Sequence, residues 1–297
     1  MRFSRFLVSG RAFALLLVLL LSVANSTAQS SGVTLTPALV EAGSPELIRV
    51  DAPAAASIDG EWLGRKLQFF RDRENRAWIA LAGVDVEAHP GPSRLKIVVT
   101  TPHASTRDQT RIVAIHPAHY RTGSLTVPPK FVSPDPEALK QIEADSQLKA
   151  KIFAASATEP LWTSSFRAPV SAAATDSFGT RRIFNGNLAS VHKGMDFHAV
   201  EGTAVHAGNS GVVVLARPLY YEGNCVIVDH GLGLFTLSMH FSRIDVQEGQ
   251  HVVAGDQLGL SGATGRVTGP HLHWAVRWQG AYLDPAKLLK LDLRNLP

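Results

Sequence analysis

The chain has 297 residues, of which 45% are hydrophobic and 18% charged, with a formal net charge of +4. That mix excludes a disordered or low-complexity protein, and the length suits two domains. The single cysteine, Cys225, excludes an intrachain disulfide, a multi-cysteine zinc site and an iron–sulfur cluster, which leaves any metal to the carboxylates and 12 histidines.

Residues 1–28 read as a secretory signal peptide. Arg2, Arg5 and Arg11 make a positive start, Ala12–Leu21 is almost wholly apolar, and Ser26 and Ala28 suit cleavage after Ala28. The apolar run is shorter than the ~20 residues a membrane span needs, and no other stretch is apolar enough to cross. Cleavage removes three arginines and no acidic residue, leaving 26 basic against 25 acidic side chains. Nucleic-acid binding thereby loses its support, since it needs a basic surplus or patch.

Residues 33–115 alternate apolar and polar side chains in short runs, as in Arg94–Val99 and Arg111–Ile115. Turn signals separate the runs, at Asp59-Gly60, Gly64 and Pro90-Gly91-Pro92. The pattern predicts a β-sandwich of immunoglobulin-like type, with Trp62 and Trp78 in its core. Residues 116–161 read as a linker carrying one helix over 135–153. Asp135 suits the N-cap and Pro136 the first helical position, while Leu139, Ile142, Leu148 and Ile152 form an apolar stripe. From residue 162 to 297 the pattern is β again, with many glycines between short apolar runs. It predicts an antiparallel sandwich or barrel, so the whole chain is expected to be mainly β.

The informative histidines lie in this last region. His192 and Asp196 form an H-x-x-x-D pair, with Gly194 between them allowing a bend. His271 and His273 form an H-x-H pair and share one face of a strand, because side chains two apart point the same way. Ala275 and Arg277 would continue that polar face, with Leu272, Trp274 and Val276 on the other. His240 ends an apolar strand. His192, Asp196 and His273 make a three-ligand set of the kind that holds one zinc ion and keeps a position for water. His240 and His271 are then left for proton transfer and charge stabilisation. Each motif alone has an ordinary structural reading; their combination in order, in a glycine-rich frame, favours a site. His198, His206, His230 and His251 read as surface or structural hydrogen-bonding residues.

Together these segments resemble the lysostaphin-type (LytM-like) zinc metallopeptidases, which cut peptide bonds in peptidoglycan. The resemblance runs from Phe178-Gly179-Thr180-Arg181 through His192–Asp196, Gly223-Asn224, Asp229-His230-Gly231 and His240. It ends with Gly262–Gly265, Thr268–His273 and Asp284-Pro285. It implies one zinc ion held by His192, Asp196 and His273, with His240 and His271 as the catalytic pair and either one as the base. It further implies export to the periplasm or the cell exterior, and a peptidoglycan stem peptide or cross-bridge as substrate. Two positions depart from the family pattern. Ser238 stands where many members have tyrosine, and Phe241 where leucine is usual. The competing reading is a catalytically weak peptidoglycan-binding module that activates another hydrolase; five intact site residues argue against it. A biotinyl-type carrier lacks its lysine at the Val246–Gly249 and Val253–Asp256 turns, and a serine hydrolase lacks G-x-S-x-G. Oligomeric state leaves no signal in the sequence.

Overall fold

Short alternating runs and frequent turn residues make the chain mainly β, as expected. The computed structural model describes residues 32–176, 178–186, 188–294 and 296. The expected export signal at 1–28 lies outside the described residues. No helix among the described residues is long and apolar enough to cross a membrane.

The N-terminal strands are β1 (Val33–Thr36), β2 (Pro45–Val50), β3 (Ser57–Trp62), β4 (Arg65–Gln68), β5 (Phe70–Arg71), β6 (Trp78–Gly83), β7 (Gly91–Thr100) and β8 (Thr106–Ile115). They form two four-stranded antiparallel sheets, ordered β1-β2-β6-β5 and β4-β3-β7-β8. Strand β7 shows how the sequence dictates this: Ser93, Leu95 and Ile97 turn inward while Arg94 and Lys96 face water. Both tryptophans are buried, and Trp62 donates its indole N–H to Ser93 Oγ at 3.0 Å.

Strand β9 (Thr122–Leu125) and helix α1 (Pro136–Ala154) follow. The Asp135 carboxylate accepts the Ala138 N–H at 2.8 Å, so the expected N-cap forms. The linker also contributes a strand, since β9 runs parallel to β11 (Arg181–Phe184). β10 (Ala174–Asp176) precedes β11 in the chain, and β12 (Leu188–Val191) pairs with β11 on its other side.

The remaining strands are β13 (Met195–Phe197), β14 (Ala204–His206), β15 (Gly211–Leu219), β16 (Gly223–Asp229), β17 (Leu234–Ile244), β18 (His251–Val252), β19 (Gln257–Ser261), β20 (Leu272–Trp278) and β21 (Ala281–Leu283). The ten-stranded sheet runs β10-β13-β20-β17-β16-β15-β18, with β14, β19 and β21 attached to its side. Both faces are buried. Val226, Val228, Leu234, Trp274 and Val276 join the main core. Cys225, Ile227, Phe235, Leu237 and Ala275 turn the other way, under Leu148, Ile152 and Phe153 of α1. Cys225 is thus a small buried apolar residue, and burial pushes its thiol pKa up.

This arrangement corrects the amphipathic strand expected for 271–277. The face continuing past the histidines is not solvated: Ala275 is fully buried, and the Arg277 guanidinium stands 3.9 Å over the Phe153 ring. Helix α1 covers that face, a long-range contact that strand periodicity does not encode. The last helix among the described residues is α2 (Pro285–Leu288), capped by Asp284. Here the N-terminal strands meet the large sheet: Tyr282 N–H donates to Asp85, Asp284 N–H to the Gly43 carbonyl, and Lys287 pairs with Glu41 at 2.7 Å.

Candidate active site

Strand pairing puts the first two groups together. β13 lies antiparallel to β20 in a register that sets Asp196 opposite His273. His192 sits just before β13. A Cβ on Gly194 would stand 2.5 Å from His273 Nε2 and 2.7 Å from the Trp274 carbonyl. The glycine is needed for close approach, rather than for the bend expected from sequence. With it, three donor atoms converge. His192 Nε2 lies 3.1 Å from Asp196 Oδ1 and 2.9 Å from His273 Nδ1, and the last two are 2.8 Å apart. Ligand atoms about 2.0–2.1 Å from a tetrahedral zinc are ~3.3 Å from one another, so this triangle has the size of one face of such a site. Among the described residues, these three alone group as a set able to hold a metal.

The electrostatics suit a cation. Burial works against the Asp196 carboxylate, but hydrogen bonds and charge from His192 and His273 outweigh it and hold its pKa well below the usual range. Burial lowers the His273 pKa and so favours the neutral imidazole, the form that ligates metals. The second carboxylate oxygen accepts from Arg182 at 2.5 Å, leaving Oδ1 for the site. Arg182, on β11, has no motif spacing to Asp196 and was not expected from sequence.

His240 and His271 reach the same place by other means. His240 lies in β17 with φ +67, a left-handed conformation uncommon for a residue other than glycine. It coincides with register irregularities between β17 and its neighbours β16 and β19. Such bulges re-aim side chains. As a result Met239 and His240 both line the cleft. Ser238, buried at 2% exposure, is not among the lining residues. The tyrosine-to-serine departure therefore falls on the wall's inner packing here. Each catalytic candidate holds a backbone carbonyl with Nδ1: His240 that of Thr264, His271 that of Gly269, both at 2.8 Å. A carbonyl only accepts, so each Nδ1 carries the proton and each Nε2 is free to accept. The two rings are 5.0 Å apart, and His271 Nε2 lies 3.8 Å from Asp196 Oδ1. Burial, then the neighbouring histidines His273 and His271, push the His240 pKa down to about 3.

The five residues line one cavity of about 680 Å³, whose walls also include Leu125, Val127, Arg182, Phe184, Tyr221 and Arg266. The other histidines stay outside the cluster. His230 is fully buried, with Nδ1 on the Ser210 carbonyl and Nε2 on Thr236. His198 is exposed at the cavity rim.

Residues 190–285 match the family model described as Peptidase family M23. The C-terminal region is a peptidase M23 domain. This domain is 45% identical over 96 residues to peptidoglycan DD-endopeptidase ShyA of Vibrio cholerae, covering 32% of this chain and 22% of that protein. It is 38% identical over 98 residues to the DD-carboxypeptidase/endopeptidase Mpg of Neisseria meningitidis, covering 33% of this chain and 23% of that one. The chain therefore matches less than a quarter of the length of these relatives. A crystal structure assigned to peptidase M23 from Pseudomonas aeruginosa is 28% identical, with a TM-score of 0.64. It covers 84% of this chain and 96% of that one. That extent takes in more than the M23 domain, so the similarity of fold reaches into the residues before it.

Proposed function

We propose that the protein is a zinc-dependent endopeptidase that hydrolyses peptide bonds in peptidoglycan stem peptides or cross-bridges. The observation that carries this is the triangle of His192 Nε2, Asp196 Oδ1 and His273 Nδ1, with His271 Nε2 3.8 Å from Asp196 Oδ1 and the His240 ring 6.1 Å from that of His273. Zinc bound by the triangle would supply Lewis acidity at a scissile carbonyl and lower the pKa of water. His240 and His271 then act from Nε2. When neutral, each accepts a proton from attacking water; once protonated, each donates to the developing oxyanion or the leaving amine. Arg182 positions Asp196 from behind. The substrate class is supported by the names of the relatives ShyA and Mpg. Export fits the leader-like residues 1–28 and a substrate outside the cytoplasm. In this reading residues 33–115 are a sandwich domain, 116–161 a linker that helps build the cleft, and 162–297 the peptidase domain.

The test is His240→Ala and His271→Ala, made singly in the protein without its leader. Each variant should keep stoichiometric zinc and lose peptidoglycan turnover by at least about 100-fold, the usual scale of general acid–base catalysis. Muropeptide mass spectrometry with and without chelator reads the products. Unchanged turnover in both variants would remove the assignment. Zinc binding without any turnover in the parent protein would favour the binding-module reading.

A further inference from the structure

Most charged side chains lining the cleft are already neutralised. Glu87 pairs with Lys193 at 2.7 Å, Arg182 with Asp196, and Glu222 with Lys149. Arg266 stands apart. Among the described residues it has no ion pair, and its guanidinium donates no hydrogen bond. Two rings flank it: the guanidinium carbon lies 4.7 Å over Phe184 and 4.4 Å over Tyr221.

These neighbours are fixed. Phe184 is buried in a cluster with Val127 and Phe131, and the Tyr221 ring packs against Phe131 and Tyr220. The Arg266 backbone N–H is held by the Tyr221 carbonyl at 2.9 Å. Stacking on rings occupies the faces of a guanidinium, whereas its five N–H donors lie in its plane, in the fork geometry that matches a carboxylate. Those donors find no acceptor in the described protein, and the side chain lines the cavity that holds the metal-ligand triangle. Holding the side chain in advance also lowers the entropy lost when a ligand binds.

We propose that Arg266, held by Phe184 and Tyr221, is the specificity residue of the cleft and binds a free carboxylate of the peptide substrate. This rests on the peptidase reading above. The carboxylate is either the terminal α-carboxylate of the stem peptide or the side-chain carboxylate of one of its residues. A bidentate, charge-assisted contact of this kind gives both affinity and register, because it fixes how far along the cleft the scissile bond can sit.

The experiment uses the full zinc-loaded chain, without its leader, and one synthetic cross-linked stem peptide in three forms. The first has all carboxylates free, the second has an amidated terminus, and the third has an amidated side-chain carboxylate. The wild-type protein should cleave one amidated form roughly 30-fold less efficiently than the free form, mainly through KM, as expected for losing a hydrogen bond to a charged group. Which form suffers identifies the carboxylate. R266Q should cleave all three alike, near the lower rate, and R266K should recover only part of the preference. The proposal is overturned if the wild-type protein cleaves all three forms equally, or if folded, zinc-bearing R266Q keeps the wild-type preference. The wild-type comparison needs no variant, so a misfolded R266Q leaves the test intact. If no form is cleaved, the peptidase reading fails by itself. Calorimetric binding of the same peptides then decides the role of Arg266: weaker binding of one amidated form supports it, and equal binding rejects it.

Discussion

Arg182 is the residue whose importance depends most on the fold. It is fourteen positions from Asp196 and holds the carboxylate oxygen that faces away from the site. Removing such an outer partner typically costs 10–100-fold in metal affinity. Arg182→Ala should therefore weaken zinc binding by about that factor, measured by competition with a chromogenic chelator, while His192, Asp196 and His273 remain in place. Unchanged affinity would mean that the two histidines alone orient Asp196. His240 makes the complementary point. Its position at the end of an apolar strand is plain in the sequence, but strand parity alone would not put it in the cleft beside Met239. The positive φ breaks that parity. Histidine adopts a positive φ more often than most residues, but the sequence does not mark which of the 12 does so.

Among the elements, β13 and β20 build the site by register, and Gly194 permits it. Gly194→Ala would place a methyl group against His273 and the Trp274 carbonyl, and a backbone atom in a sheet cannot move aside cheaply. The variant should lose most of its bound zinc by elemental analysis yet keep its β circular dichroism. Zinc at the parent stoichiometry would show that the loop relaxes. Helix α1 is legible from its N-cap and its stripe, but only half of that stripe is used. Leu148 and Ile152 pack on the sheet, whereas Leu139 is 54% exposed. Docking is completed by Asp145, buried, which accepts from the Tyr220 N–H at 2.7 Å and from Gln141 at 2.6 Å. Asp145→Ala leaves that N–H without its acceptor and should destabilise the protein by about 2 kcal/mol in urea unfolding.

For the whole molecule, the junction of the N-terminal sheets and the ten-stranded sheet contains a buried acid. Glu46 lies in β2, fully buried, with no hydrogen-bond partner for either carboxyl oxygen among the described residues. Burial pushes its pKa up to about 8, and the neighbouring Ser44 side chain, then the charge of Lys287, offset only part of that. The unfolded chain loses this proton near pH 4.5, whereas the folded protein keeps it until about pH 8. The unfolded state thus binds fewer protons in between, and stability from this group is full below pH 4.5 and falls as pH rises towards 8. The slope is about 1.4 kcal/mol per pH unit. Glu46→Gln should remove this decline and be the more stable protein at pH 8, by urea unfolding at pH 5 and pH 8. Parallel losses in both proteins would place the carboxyl in a more polar setting.

The sequence alone determined the β character, the capped helix and the five residues that line the cleft. Each follows from a local rule: a side-chain period of two, a cap and proline at a helix start, or imidazole and carboxylate at ligand spacing. Tertiary structure decided everything that depends on distance in space. It brought Asp196 opposite His273, put Arg182 behind Asp196, covered Ala275 and Arg277 with α1, and turned His240 into the cleft through a strained residue. It also drew the linker into the site, because β9 pairs with β11 and the nearby Phe131 backs Phe184 and Tyr221 around Arg266. Local patterns specify which face of an element is apolar; only packing specifies what lies against it.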